Sequence, residues 1–316
     1  MTANRGAAAR LADRPVLTAV LGAACISCSA VLVTLAGVSP ATSAAFRCAL
    51  ALPFLTVLAA AERRRLGPRL LKVRASAALA GLLLGVDLVL WNHAIVDVGA
   101  GVATVLANLQ VLFVGVFAWV AMGERPDRRY LGVLPPVLAG VVLVSGLIGG
   151  HAAGLNPVAG IGFGFGTSAA YACFLLLLRT TAGTTRHVAG QLTDATAGAL
   201  VGSVLLGLVF GGLQLDISWH ALFWLLALAV LCQTGGWLLI TSSLPKLPAA
   251  VSSLLLLLQP AGAMVLADVI LRERPTLVQV GGALLVCLGV LAVARTAGRQ
   301  RQRQPAPAQA CTQNST

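Results

Sequence analysis

A chain of 316 residues that is 58% hydrophobic and only 10% charged has too little polar surface to cover a water-soluble core. Its formal charge of +12 would suggest nucleic-acid binding in a soluble domain, but the basic residues stand in short segments between apolar stretches, as membrane topology signals do. The composition therefore predicts an all-α, polytopic membrane protein that is solvated by the lipid bilayer and has no nucleic-acid partner.

Ten apolar stretches follow one another with short connections, each near the roughly 20 residues that a helix needs to cross a bilayer. The first is longer than a typical signal-peptide core, so we expect an uncleaved helix there. The predicted transmembrane helices are 15–37, 41–61, 75–96, 99–121, 130–149, 156–178, 189–211, 219–242, 248–270 and 276–295. The low-complexity segment 296–316 predicts a disordered cytoplasmic tail.

The second half of the chain repeats the first. Aligning 100–145 with 249–294 without a gap matches 16 of 46 positions, among them Gln110 with Gln259 and one Glu-Arg-Pro triplet with another. The chain therefore divides into two five-helix repeats, 15–149 and 156–295. Because five is an odd number, the repeats enter the membrane in opposite orientations, and inverted duplications of this kind are typical of transporters.

Basic residues predict the orientation of the helices. With both termini in the cytoplasm, 19 of the 22 Lys and Arg residues lie on the cytoplasmic side, Arg272 and Arg274 lie outside, and Arg47 lies within a helix. We therefore expect a multi-pass protein of the plasma membrane with cytoplasmic N- and C-termini. The sequence leaves open whether it is a monomer or a homodimer.

Charged groups inside a membrane are costly, so each one marks a candidate site. Arg47 and Asp87 have similar estimated depths in the second and third helices, which predicts an ion pair between them. Asp87 and Trp91 share one helical face, an arrangement suited to a cationic or amino-bearing ligand, and His93 lies near the outer end of that helix. A structural ion pair, a substrate site and proton coupling through Asp87 all remain open.

The fourth and ninth helices carry further polar candidates. Asn108 belongs to a stripe of small and polar residues that lines either a cavity or a helix contact. Gln259 precedes Pro260, which frees a backbone carbonyl one turn earlier and predicts either a kink or the broken helix of a transporter binding site; Ser252 lies on the same face. The expected substrate path is lined by Arg47, Asp87, Trp91, Asn108, Ser252 and Gln259, with His93, Tyr171, Gln233 and Trp237 as secondary candidates.

Other acidic residues fall at helix ends. Glu124 and Glu273, in the repeated Glu-Arg-Pro triplets, are predicted to stabilise helix boundaries and a gate, while Asp194 is either an inner-gate group or a solvated helix-end acid. The sequence shows no phosphate-binding loop, metal-ligand cluster or catalytic triad. It therefore predicts no cofactor, no metal site and no enzymatic activity.

Three motifs at matching points of the repeats resemble the EamA branch of the drug/metabolite transporter superfamily. They are Ser43-Ala44-Ala45-Phe46-Arg47, Gly123-Glu124-Arg125-Pro126 and Arg272-Glu273-Arg274-Pro275, and the resemblance covers about residues 15–295. It implies a secondary carrier, commonly an exporter of amino acids or other small metabolites, with the substrate path between the halves. The sequence departs from the usual pattern at Asp87 and at the Trp91-Asn92-His93 cluster.

Two groups of alternatives stand beside a small-molecule exporter. One is an importer or exchanger of the same superfamily, although the scarcity of basic residues inside the membrane argues against an anionic cargo. The other is a non-transporting membrane scaffold or a membrane-embedded enzyme. An enzyme would be expected to cluster His, Asp or Glu near one interface, which this sequence does not do.

Overall fold

Helices make up nearly all of the computed structural model, which describes residues 14–124, 128–144, 156–184, 186–210, 212–266, 269–270, 276–278 and 280–289. No β-strand occurs within these ranges. The first seven helices are α1 Pro15–Ala36, α2 Pro40–Leu66, α3 Leu71–Asn108, α4 Gln110–Met122, α5 Arg128–Val144, α6 Pro157–Thr184 and α7 Val188–Phe210. They are followed by α8 Trp219–Ala227, a π-helical turn Leu228–Gly236, α9 Trp237–Ser243, a 3₁₀ turn Leu244–Lys246, α10 Ala249–Leu256, α11 Leu258–Leu266 and α12 Val280–Gly289.

Helix boundaries follow ordinary capping chemistry. Pro40 opens α2, and the Ser39 side chain accepts a hydrogen bond from the Thr42 backbone N–H at 3.3 Å. Gly37 and Gly123 end α1 and α4 with φ of +61° and +69°, a left-handed conformation that glycine adopts without strain.

Among the residues that the structure describes, six helices are long and apolar enough to cross a membrane, and four apolar helices are shorter. The long ones are Pro15–Val33, Ala41–Leu66, Leu71–Trp91, Val158–Ala182, Val188–Val209 and Trp219–Lys246; the shorter ones are Leu106–Met122, Leu131–Leu143, Val251–Ala263 and Val280–Gly289. Large apolar side chains on the outside, such as Val57, Val120 and Leu208, remain exposed as a lipid-facing surface requires. Six of the ten predicted membrane helices therefore reach spanning length in the described residues, and the chain is a multi-pass membrane protein.

The boundary predicted between the third and fourth helices, at 97–98, is wrong. The structure continues α3 through it for 38 residues, about 57 Å at about 1.5 Å per residue, and interrupts the helix only at Leu109. The segment Asp97-Val98-Gly99 contains no proline, and a glycine costs a helix only about 1 kcal/mol, so nothing at that point forces an end.

Helices of the first repeat pack mainly against helices of the second. The longest contacts join α3 to α6 and α7, α2 to α7, and α1 to the π-helical turn, α9 and α11. At the crossing of α3 and α7, a Cβ on Gly81 would overlap the Ala195 carbonyl, and a Cβ on Gly198 would overlap the Ala78 carbonyl. Glycine thus lets the two backbones touch, as in many membrane helix pairs.

Candidate functional site

Arg47 is the centre of a partly buried hydrogen-bond chain that links the two repeats. Its Nε donates to Gln233 Oε1 at 3.1 Å, and its Nη1 donates to Ser29 Oγ at 3.3 Å. Gln233 Nε2 in turn donates to Thr196 Oγ1 at 3.3 Å. Gln233 and Thr196 are almost fully buried, and the guanidinium charge of the half-buried Arg47 is stabilised by these neutral polar groups.

The π-helical turn Leu228–Gly236 positions Gln233. Within it the Thr234 hydroxyl donates to the Ala229 carbonyl at 2.9 Å, five residues back, and Cys232 Sγ donates to the Cys25 carbonyl of α1 at 3.1 Å. Gly236 lets α1 approach closely, since a Cβ there would lie 2.8 Å from Ile26 Cγ1. Such turns shift the side chains that follow them around the helix and are frequent at functional sites.

The ion pair expected between Arg47 and Asp87 is not formed. Asp87 is buried on α3, where its backbone carbonyl accepts from Thr167 Oγ1 at 3.1 Å, and its carboxylate has no ion pair within the described ranges. The physical reason is that α7 packs against both α2 and α3, which make little contact with each other. Similar depth was therefore not enough to bring the two charges together.

Tyr171 on α6 lies near both of these charges. Its hydroxyl is within electrostatic range of both Asp87 and Arg47 and lies near the Gln259 side chain. Its ring is 6.5 Å from that of Trp237 and 5.8 Å from that of Phe174, measured between centroids. Three secondary candidates from the sequence therefore belong to one polar cluster with Arg47 and Asp87. They are Tyr171, its ring neighbour Trp237, and Gln233, which binds Arg47.

The helix is interrupted at closely corresponding points of the two repeats. At Leu109, between α3 and α4, the backbone N–H donates to the Leu106 carbonyl at 3.1 Å, three residues back; at Leu257, between α10 and α11, it donates to the Leu254 carbonyl at 3.1 Å. Leu109 and Leu257 keep right-handed helical dihedrals, so each interruption is a single-residue turn, and both alternatives read from the sequence at Pro260, a kink and a broken helix, remain open. The break at Leu109 was missed, because no proline marks it.

Buried polar atoms without a hydrogen-bond partner lie beside both breaks. They are Gln110 Oε1, Ser252 Oγ and Gln259 Nε2 among the described residues. Leaving such an atom unsatisfied costs about 1–3 kcal/mol, which makes it a place where a bound polar group would be stabilised. Gln110 and Gln259 are also the glutamines that match between the repeats.

The remaining candidates of α3 lie on either side of this cluster. Asn108 is buried at the last residue of the helix, next to the first break. Trp91 is half-buried, and the His93 ring packs 5.4 Å from that of Phe163 on α6. His93 is about 9 Å along the helix from Asp87, so it belongs to the outer end rather than to the centre.

At the opposite, predicted cytoplasmic end, charged side chains join the repeats. Arg179 pairs with Glu124 at 2.7 Å and donates from Nε to the Leu244 and Leu247 carbonyls at 3.3 and 3.2 Å. Glu124 Oε2 accepts from the Ala249 backbone N–H at 3.3 Å, at the start of α10. Glu124 thus stabilises a helix boundary as expected, whereas Glu273 lies outside the described residues.

A second network closes the same end between α2, α3 and α7. Asp194 pairs with Arg69 at 2.6 Å and with Arg74 at 3.6 Å, and its side chain is only 11% exposed. Glu62 accepts from the Ala189 and Gly190 backbone N–H groups at 3.0 and 2.9 Å, at the start of α7. Asp194 is therefore not a solvated acid. In the sequence, Arg69 and Arg74 indicated only the orientation of the helices. Their pairing with Asp194 depends on how the helices pack.

The chain matches the model of the EamA-like transporter family twice, over residues 13–146 and 158–295. A crystal structure described simply as that of a protein has a TM-score of 0.74 to this chain at 17% identity, covering 90% of this chain and 99% of that one. No curated protein matches. The family match therefore covers two repeats of the chain.

Proposed function

This chain belongs to the EamA-like transporter family, within the drug/metabolite transporter superfamily, and we propose that it is a secondary transporter that exports a small, amino-acid-like or drug-like metabolite. In this proposal, ten membrane crossings form two inverted repeats in the plasma membrane, with both termini in the cytoplasm. The substrate path runs between the repeats and opens alternately to either side.

The observation that carries this proposal is the pair of helix breaks at Leu109 and Leu257. Discontinuous helices near the middle of the membrane are a common construction of transporter binding sites, because they expose polar groups without exposing them to lipid. Here each break lies beside a buried glutamine with one unpartnered amide atom, Gln110 or Gln259. A substrate in this position would complete their hydrogen bonds.

The charges around Tyr171 favour a substrate that carries a positively charged group. Arg47 is already stabilised by Gln233 and Ser29, while Asp87 is buried with no cation paired to it in the described part of the chain. An ammonium group beside Asp87 would offset the cost of burying its carboxylate charge. The rings of Tyr171 and Trp237 would stabilise the same cation. In the absence of substrate, a proton on Asp87 would neutralise this buried charge instead.

The ion pairs at the predicted cytoplasmic end support alternating access. Arg179–Glu124 and Arg69–Asp194 each join a residue of the first repeat to one of the second, at 2.7 and 2.6 Å. They hold that end closed in this conformation. Opening toward the cytoplasm requires that both pairs separate, and the charged groups then become hydrated at modest cost.

The test is transport by the purified full-length protein in vesicles, measured over a panel of amino acids and small drugs with and without a pH gradient. We expect gradient-driven movement of at least one zwitterionic or cationic compound. Asp87→Asn should abolish gradient-driven movement and leave counterflow exchange, which needs no net proton transfer, at least partly intact. Loss of both activities in a folded variant would identify Asp87 as a direct substrate contact. Asp97→Asn, on the same helix, is the matched control and should retain both activities.

The outcomes separate the alternatives. Gradient-driven movement in the opposite direction would identify an importer, and obligatory counter-substrate would identify an exchanger. Unchanged gradient-driven transport in Asp87→Asn would remove this carboxylate from proton coupling. Absence of any transport by folded protein across the panel, together with no stabilisation by any compound, would overturn the proposal in favour of a scaffold.

A further inference from the structure

A cleft of about 300 Å³ opens at the predicted cytoplasmic end of α2, away from the cluster around Tyr171. One wall is the face of α2 that carries Thr56, Ala60 and Arg63; the other walls are the linker after Gly67 and the first turns of α3 and α7. Thr56 and Ala60 are exposed, so the cleft opens sideways on the surface that faces lipid.

The cleft carries more positive charge than its own anion neutralises. Its charged residues are Arg63, Arg69, Arg74 and Asp194. Arg69 is committed to Asp194, at 2.6 Å and with 12% of its side chain exposed, whereas Arg74 lies 3.6 Å from Asp194 and is 54% exposed. Arg63 is exposed and makes no side-chain hydrogen bond or ion pair in the part of the chain that the structure describes. Two guanidinium groups therefore have donors available.

Exposed apolar side chains stand next in sequence to the residues that line the cleft. Leu70 and Leu71, between Arg69 and Arg74 in the sequence, are 75% and 78% exposed, and Val57 on α2 is 70% exposed. Leucines with this exposure at the end of a membrane helix lie where the headgroup region meets the acyl chains. The cleft thus combines basic groups at headgroup level with an apolar surface below them.

We propose that this cleft binds an anionic phospholipid of the cytoplasmic leaflet, with its phosphate held between Arg63 and Arg74 and its acyl chains along α2 past Ala60 and Val57. Guanidinium groups bind phosphate oxygens in pairs and retain their charge at any physiological pH. Basic pockets between membrane helices on the cytoplasmic side are suited to such headgroups. A free phosphate ion would use the same arginines but would gain nothing from the apolar surface.

The test uses the purified full chain in neutral detergent and measures bound lipid by native mass spectrometry. Phosphatidylglycerol is the anionic probe, and phosphatidylcholine is its neutral counterpart. The variant R63Q/R74Q removes two charges from the cleft. The matched control R64Q/R65Q removes two charges from the same end of α2, from arginines that do not line the cleft. Thermal unfolding of each variant checks that it is folded.

We expect the wild type to retain phosphatidylglycerol in preference to phosphatidylcholine. R63Q/R74Q should weaken phosphatidylglycerol binding by about 30-fold, since each basic residue near an anionic surface contributes about fivefold. R64Q/R65Q should retain most of the wild-type affinity. Should the double variant in the cleft fail to fold, R63Q alone gives the same test, because that side chain loses no partner within the protein.

Three results would overturn the proposal. Equal weakening by both double variants would indicate diffuse attraction to the basic helix end. Equal retention of the two lipids by the wild type would show that charge is not recognised. Displacement of bound phosphatidylglycerol by millimolar inorganic phosphate would assign the arginines to a free anion. None of these results depends on transport, so the experiment tests lipid binding independently of the proposed transport function.

Discussion

The charged end of the molecule and the broken helices satisfy their polar groups in opposite ways. At the predicted cytoplasmic end, Glu124 and Asp194 each have an arginine partner within 2.7 Å. At the helix breaks, Gln110 and Gln259 each keep a buried amide atom without a partner in the described structure. The ion pairs join the two repeats, whereas the unpartnered amide atoms would be stabilised by a further polar group.

Replacing Gln233 by leucine should have the largest effect, because it leaves the half-buried Arg47 guanidinium with only Ser29 as its hydrogen-bond partner. Hydrogen bonds to charged groups contribute about 1.5–3 kcal/mol, so we expect a loss of about 3 kcal/mol in the free energy of unfolding and no transport. Thermal unfolding in detergent and vesicle transport are the measurements. Gln214→Leu, the same change at an exposed position, should have little effect; equal destabilisation by both would refute the importance of this chain.

Asp194→Asn tests the charged end. The exchange leaves Arg69, with 12% of its side chain exposed, without an anion, and we expect a cost of about 2 kcal/mol to the closed conformation. Protease or thiol-reagent access to the start of α7 should increase, while substrate binding at the breaks is retained. Asp216→Asn removes an exposed acid from the linker before α8 and should leave access unchanged. Loss of substrate binding in Asp194→Asn would contradict the separation of gate and site.

Glu124→Ala should have a smaller effect of the same kind. Its side chain is 35% exposed, so solvent already weakens the pair with Arg179, and we expect about 1 kcal/mol from the lost pair and the lost helix cap. Thermal unfolding measures this cost. Glu124→Ala combined with Asp194→Asn should open the cytoplasmic end further than either change alone. A double variant no more open than Asp194→Asn would show that Glu124 plays no part in closure.

Gln110→Leu separates stability from substrate binding, because we expect it to preserve the first and abolish the second. Removing an unpartnered buried amide should leave the free energy of unfolding unchanged or raise it by up to about 1 kcal/mol, yet substrate binding should be lost. Ser203→Ala removes an unpartnered buried hydroxyl from α7, away from the breaks, and should stabilise without affecting transport. Normal transport by Gln110→Leu would show that the first break does not contact substrate.

The sequence predicts much of the fold because membrane length and repetition are strong signals. The paired Gln110 and Gln259 identify the duplication, and Pro260 marks only one of the two points where the helix is interrupted. What the sequence did not predict depends on contacts between distant helices. Leu109 lies at a break with no proline, Gln233 lies in a π-helical turn that only packing against α1 reveals, and α7 separates Arg47 from Asp87.

Arg179 shows why part of the site was hidden as well. In the sequence it is one basic residue among several that indicate orientation, and nothing nearby suggests a partner. The fold places Glu124 against it from the other repeat. A residue whose role depends on its partner's position in space cannot be recognised from its own neighbours in sequence.

The close crossing of α3 and α7 also has a consequence for how the protein is made. Gly81 belongs to the first repeat, and the backbone it touches at Ala195 belongs to the second. During synthesis, the first repeat enters the membrane before the second repeat has been made. The face of α3 that carries Gly81 therefore remains exposed to lipid until α7 is inserted. Neither repeat is a complete folding unit, and separately expressed halves should assemble only when both are produced in the same membrane.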